Sequence, residues 1–355
     1  MEPRFQPAWR RFGREMLLWL VLWLICFGLG YPTLNRYDPR AVAGLSDTIE
    51  YHSLVTDGPA AVSTHGKFRI LIPLLARPFS RLAQGRLGTW EPVSFGLLVV
   101  NAFFTATTAY LLVAAGRKLF GNGTVALLGA AVYLLNFETA NLRLTGLVDS
   151  AEGCFLMALA WSLLSRRFWL LPLWGVLGAL GKESFVPFAT VFTAVWWLVA
   201  RRRELWRLGG VVATLSTGAA ALVTVVVVQS IVSGYVVWPW TFAASIRGSG
   251  QLAALLANLA DRNLLYGFIW LLPLGVWQSA RFPRPWTLAC AAAVVADLAL
   301  VSYFAAQPGT AARGIFSIAG PLLSLSVASL AAQVFHANAT APSIGPLTAP
   351  AQPHV

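Results

Sequence analysis

The sequence is poor in charge and nearly empty of cysteine. Of its 355 residues only 11% are Asp, Glu, Lys or Arg, while 57% are hydrophobic. Soluble domains carry about 25% charged residues, so a water-soluble domain does not account for this chain. The three cysteines, Cys26, Cys154 and Cys290, all fall inside apolar runs. They read there as small core residues, and no disulfide framework or thiolate metal site follows. No Walker loop, dinucleotide fingerprint or metalloprotease pattern occurs, so nothing points to ATP, NAD or zinc. The expectation is no cofactor and no metal. Short alternating strands are lacking too. The apolar runs are continuous and approach 20 residues, which excludes an outer-membrane barrel and calls for spanning helices.

What is present is a mean hydropathy of +0.66 and a net charge of +12. The charge is not a nucleic-acid signal, because much of it sits in short loops, where it sets membrane topology. The pattern predicts an all-α polytopic membrane protein of about ten spans, near 16–33, 92–114, 123–141, 150–165, 168–181, 184–200, 208–231, 262–279, 285–305 and 314–335. The basic N-terminus with its first run reads as a retained span rather than a removed signal. Residues 1–336 form one transmembrane domain, and the Ala-, Pro- and Thr-rich stretch 337–355 reads as a disordered cytoplasmic tail. The piece 68–83 holds Pro73, Arg77, Pro78 and Arg81. It is too short and too charged to cross, and reads as a juxtamembrane helix. With the N-terminus in the cytoplasm, every short inner loop is basic: Arg117 with Lys118, Arg166 with Arg167, Arg201 to Arg203 with Arg207, and Arg281 with Arg284. The C-terminus is then cytoplasmic as well. The first loop, 34–66, and the later loop, 232–261, face outward.

The outward side collects the unusual residues. The first loop carries Asp38, Asp47, Glu50 and Asp57, with Arg36, Arg40, His52 and His65. If its centre is helical, Asp47 shares a face with Glu50 and with Tyr51. Carboxylates at a membrane surface bind a cation or take a proton from a hydroxyl, although solvated loop acids give the same pattern. Asp38, before Pro39, suits a turn. In RLTGLVDSAEG, Asp149 and Glu152 stand before an apolar run. That spacing also fits a helix cap, and a cap there still aims a carboxylate outward. Lys182, in GKES between two apolar runs, needs water, a carboxylate or a phosphate, or snorkels beside Glu183. Arg313, in TAARGIFSIAGP, presents a fork suited to phosphate or anchors its helix at the interface. Glu138 lies near the outer end of a span, and Asp297 lies inside one, where an acid faces protein interior or an aqueous path. Most Trp and Phe residues read as packing and interface anchors; Trp238 and Trp240 are set apart by their outward loop. Asn122 to Thr124 matches a glycosylation acceptor but falls on the inner side.

Taken in order, SDTIEYHSLV, FRILIPLL, AAGRKLFG, GTVALLGAAVYLLNFETA, GLVDSAE, GKES and ARGIFSIAGPLL resemble the GT-C superfamily of polytopic glycosyltransferases. These enzymes take a sugar from a polyprenyl-phosphate donor at the outer membrane face. The resemblance covers residues 16–200 and, more weakly, 310–325. It implies that Asp47 is the first-loop catalytic acid and Asp149 the second. Glu50, Tyr51, His52 and Glu152 would then contact substrate, and Lys182 and Arg313 would face the donor phosphate. The chain departs from larger members in lacking a big soluble C-terminal domain and a DxD pair, which implies a compact, metal-independent enzyme. The implied reaction moves a hexose or pentose, with inversion, to a hydroxyl on a lipid, glycan or cell-wall component. The implied setting is a bacterial inner membrane, with lipids and no nucleic acid as partners. Two other readings stay open: a transporter or flippase for a lipid-linked sugar or anionic solute, and a non-catalytic envelope-assembly protein.

Overall fold

The computed structural model describes residues 8–32, 34, 46–88, 90–144, 146–200, 208–240, 252–269, 272–304 and 311–339. Arg36, Asp38, Arg40, Arg201 to Arg203, Arg207 and the tail beyond 339 lie outside them. All regular structure among the described residues is helical. Helix α1 is Ala8–Gly30, α2 Ser46–Thr56, α3 Leu71–Ala83, α4 Pro92–Phe120 and α5 Gly123–Leu134. A π turn over Thr139–Arg143 leads to α6, Asp149–Leu164. Then follow α7 Leu171–Gly181, α8 Phe185–Ala200 and α9 Leu208–Ser233. Three short helices come next: α10 Leu252–Leu259, α11 Arg262–Phe268 and α12 Leu272–Ser279. Helices α13, Arg284–Phe304, and α14, Ala311–Ala339, close the bundle.

The long α4 shows why the sequence makes helices here. Glu91 accepts a hydrogen bond from the Ser94 amide at 2.6 Å, and Pro92 follows at the first helical position. Gly121, at φ 65°, ends the helix in the left-handed conformation that favours glycine. Asn122 then caps α5 by accepting from the amides of Thr124 and Val125, so the side chain in the acceptor-like tripeptide has a structural job. Helices α4 and α14 are central, flanked by α5, α6 and α13, whereas α1 and α9 are peripheral. The peripheral helices expose Leu17, Leu24, Leu215 and Ile231. Such faces are stable against lipid tails, not against water.

The described helices do not by themselves establish ten spans. Among the described residues, five helical stretches are long and apolar enough to cross a membrane: Phe12–Gly30, Pro92–Phe120, Val211–Ser233, Arg284–Tyr303 and Ala311–Val334. The stretches Gly123–Leu134, Phe168–Gly181 and Phe185–Ala200 are apolar but shorter. The run 123–141 stops as an α-helix at Leu134 because Asn136 diverts the chain. Its Oδ1 accepts from the Glu138 amide at 2.9 Å, and its Nδ2 donates to Gly267 O at 2.7 Å. The run 262–279 is two short helices, with residues 270–271 outside the described ones. A further helix, α10, occupies part of the stretch read as an outer loop, and Asp261 separates it from α11 by capping the latter through the Asn263 amide. Segment 68–83 is helical from Leu71. It buries Ile72 and Ala76 while exposing Leu74, Leu75, Phe79 and Leu82, as a helix lying at an apolar surface does.

Two ends of the bundle are distinct. Glu91, Asp149, Lys182 and Arg313 stand at one end. At the other, Arg117 at the close of α4 bonds Glu15 of α1 at 2.9 Å. That second end also carries Lys118, Arg166, Arg167, Arg281 and Arg284.

Candidate active site

The site is built at the first end, from α2, the turn before α6, the α7–α8 turn and the start of α14. Helix α2 is held on several sides. Tyr51 is buried, and its hydroxyl accepts from Arg69 Nη1 at 2.8 Å. Glu50 Oε2 accepts from the Thr64 hydroxyl at 2.5 Å. His52 Nε2 lies 3.3 Å from Glu91 Oε1. Arg77 of α3 donates to Leu54 O at 2.9 Å and Val55 O at 3.1 Å, which satisfies carbonyls that the end of a helix leaves open. Asp47, in the first turn, is thereby fixed in position.

Asp149, Lys182, Arg313 and Asp47 meet. Lys182 Nζ donates to Asp149 Oδ1 at 2.6 Å and lies 3.5 Å from Glu152 Oε2. Arg313 Nη1 lies 3.2 Å from Asp47 Oδ2 and 3.5 Å from Asp149 Oδ2. One guanidinium therefore bridges the carboxylates of two distant segments. The side chain of Asp149 is 3% exposed and that of Asp47 is 35% exposed, so Asp47 is the member a solute reaches first. Burial disfavours the charge on Lys182, but Asp149 and Glu152 outweigh it and hold the ammonium above its ordinary range. Glu152 also accepts from the hydroxyls of Ser184 and, at 3.2 Å, Ser317.

A second ion pair supports the first from beneath. Arg69 engages Glu183 through two nitrogens, Nε to Oε2 at 3.0 Å and Nη2 to Oε1 at 2.5 Å. Burial alone would raise Glu183, but the charge and hydrogen bonds of Arg69 bring it down to about 2. Buried Arg143 ties the α6 turn to α14. It donates to Asp149 O at 2.9 Å, Ser317 Oγ at 2.7 Å and Arg313 O at 3.3 Å, with its guanidinium 4.9 Å from the Phe316 ring centre. Gly153 is required for this: a Cβ there would stand 2.3 Å from Arg143 Nη1. Four carboxylates (Asp47, Asp149, Glu152, Glu183) thus face four cations (Arg69, Arg143, Lys182, Arg313).

Of the residues the sequence singled out, Asp47, Asp149, Glu152, Lys182 and Arg313 come together, with Tyr51 next to them through Arg69. Glu50 and His52 turn to Thr64 and Glu91 and serve to fasten α2. Arg69, Arg143 and Glu183 were not assigned a role, although each lies within a quoted motif. The available signal was an arginine or glutamate directly abutting an apolar run, which burial makes costly without a partner. Trp238 and Trp240 stack face to face, 5.0 Å apart, at the exposed end of α9. Among the described residues no three His, Cys, Asp or Glu side chains gather to hold a metal.

No protein-family model matches this sequence, and neither does any curated protein. Among solved structures, the fold is similar to that of ArnT from Cupriavidus metallidurans bound to undecaprenyl phosphate, with a TM-score of 0.58 and 16% identity. The match covers 90% of this chain and 60% of that one. The likeness is one of fold: the chain shares the all-α arrangement of that structure and spans about 60% of its length.

Proposed function

We propose that this protein is a membrane glycosyltransferase that takes a sugar from a polyprenyl-phosphate donor and places it on a hydroxyl of a lipid, glycan or cell-wall acceptor. The observation that carries this reading is the meeting of Asp47, Asp149, Lys182 and Arg313 at one end of the bundle, on a fold shared with a structure that binds undecaprenyl phosphate. Asp47 accepts the proton of the acceptor hydroxyl. The hydroxyl oxygen bonds to the anomeric carbon while the bond from that carbon to the phosphate oxygen breaks. The electron pair leaves with the polyprenyl phosphate, whose growing charge Lys182 and Arg313 offset. A single displacement of this kind inverts the anomeric centre. Asp149 positions both cations and is not itself the base, because it is buried and engaged by Lys182 and Arg313. Release of Arg313 from Asp47 by the incoming phosphate frees the carboxylate for the acceptor, so donor binding prepares the base. The fit to an outer-leaflet reaction rests on the basic character of the opposite end.

The test is sugar transfer by purified protein in nanodiscs, read as release of polyprenyl phosphate. Asp47→Asn should lower the rate by about 10²–10⁴-fold, the usual size of a general-base effect, with its melting temperature unchanged. Wild-type rates in Asp47→Asn would end the proposal. One observation favours a transporter instead: Asp297 is buried in α13 with Oδ2 unpartnered among the described residues. Under that reading Asp297→Asn abolishes movement of a lipid-linked sugar across vesicles, and the purified wild type releases no polyprenyl phosphate.

A further inference from the structure

The end of the bundle opposite the acidic and basic cluster holds a cavity of about 600 Å³, within the size range of ligand pockets. It is separated from the cluster by α4, a helix about 43 Å long at 1.5 Å per residue. Its walls come from the α4–α5 turn, the α12–α13 turn and α14. Leu119, Phe120 and Phe282 make one side apolar, while Gln278, Arg281 and Gln333 bring donors. Gln278 is 2% exposed, and its Nε2 has no hydrogen-bond partner among the described residues. A buried amide donor left unmatched costs about 1–3 kcal/mol, so its presence in a cavity wall asks for an acceptor. Arg281 adds a permanent positive charge, and α5 and α13 both begin at the cavity, at Asn122 and Pro283, so two positive helix ends approach it. An anion with several acceptor oxygens matches these groups. The apolar wall matches a hydrocarbon portion on the same molecule.

We propose that this cavity binds the phosphate headgroup of an anionic phospholipid, with the start of its acyl chains against Leu119, Phe120 and Phe282. Arg281 and the Gln278 amide hold the phosphate oxygens. A membrane lipid is favoured over a soluble phosphate ester because the donors and the apolar wall share one cavity. Exposed apolar side chains also continue beside it, at Val334 of α14. The site neither depends on the proposed sugar transfer nor touches its residues.

Native mass spectrometry of the full chain released from nanodiscs tests this. The discs contain phosphatidylcholine alone or mixed with phosphatidylglycerol. Wild-type protein should retain one phosphatidylglycerol in preference to phosphatidylcholine. Arg281→Gln should lower that retention about tenfold, the loss of one charge-assisted hydrogen bond. Gln278→Leu, which keeps the apolar shape, should lower it as well. Arg284→Gln, on the same turn but outside the cavity, should leave it unchanged. Equal retention of the two lipids overturns the proposal. So does an equal loss in Arg281→Gln and Arg284→Gln, which would mark diffuse charge rather than a site. Displacement of the lipid by millimolar inorganic phosphate would assign the cavity to a soluble phosphate ester and overturn it too. Arg281 is exposed, so its substitution decides the matter even if Gln278→Leu does not fold.

Discussion

At the scale of single residues, the cluster is a matter of matching buried charge. The Arg69–Glu183 pair is about one-fifth exposed on each side, so its removal costs less than that of a fully buried pair. Arg69→Met should destabilise the protein by about 2 kcal/mol, below the 3–5 kcal/mol of a fully buried break. It should also loosen α2, since Tyr51 loses its donor. The pH dependence has a definite sign. Glu183 is held down to about 2 from an ordinary 4.5 by Arg69, which outweighs the effect of burial. Its stabilisation is therefore complete above about pH 4.5 and is lost as pH falls toward 2. Thermal unfolding of wild type against Glu183→Gln should show a gap at pH 7 that shrinks by pH 3. The sequence made Asp47, Asp149, Lys182 and Arg313 visible because charge beside a long apolar run is rare. It did not make Arg143 visible as a clamp, because its role depends on Gly153 and Ser317. Those residues are 10 and 174 positions away and carry no signature of their own.

At the scale of elements, small residues decide which helices touch. Gly175 of α7 lies against α9, where an added Cβ would stand 2.6 Å from the carbonyl oxygen of Thr217. Backbone does not yield as a flexible side chain does. Gly175→Ala should push α7 and α9 apart and cost about 1–3 kcal/mol, the usual price of overpacking, read as a lower melting temperature. Gly178→Ala would bring its Cβ to 2.4 Å from the ring of buried Phe185 and should destabilise the protein as well. Glycines in apolar runs are plain in the sequence, yet nothing in the sequence says which partner each one faces. The bounds of α6 and α9 were legible to within two residues, and the start of α4 was legible from its cap at Glu91–Pro92, whereas α1 begins at Ala8, ahead of its apolar run, and α4 runs on past 114 to Phe120. The failures fell where a polar residue interrupts an apolar run. Asn136 ends α5 early by bonding Gly267, and Asp261 starts α11 as a cap. Periodicity alone reads through such residues, because their partners are distant or lie in another helix.

At the scale of the whole molecule, the argument is one of two unlike ends. The cluster occupies one end, and the opposite end carries the basic turns Arg117–Lys118, Arg166–Arg167 and Arg281–Arg284. The positive-inside tendency favours the cytoplasm for that second end, and we propose this orientation. Segment 64–90 tempers a simple reading of charge, because Lys67, Arg69, Arg77, Arg81 and Arg86 lie with the cluster. Two of them are consumed structurally, Arg69 by Glu183 and Arg77 by the α2 carbonyls. The native cysteines are all buried, so the unmodified protein offers a blank background for labelling. Ala60→Cys places a thiol in the exposed loop beside α2, and Lys118→Cys places one at the far end of α4. In intact cells a membrane-impermeant maleimide should modify the first and not the second. Permeabilised cells should show both. Were both thiols labelled in intact cells, or only Lys118→Cys, the cluster would not face outward alone. A lipid-linked donor presented in the outer leaflet would then have no route to Asp47.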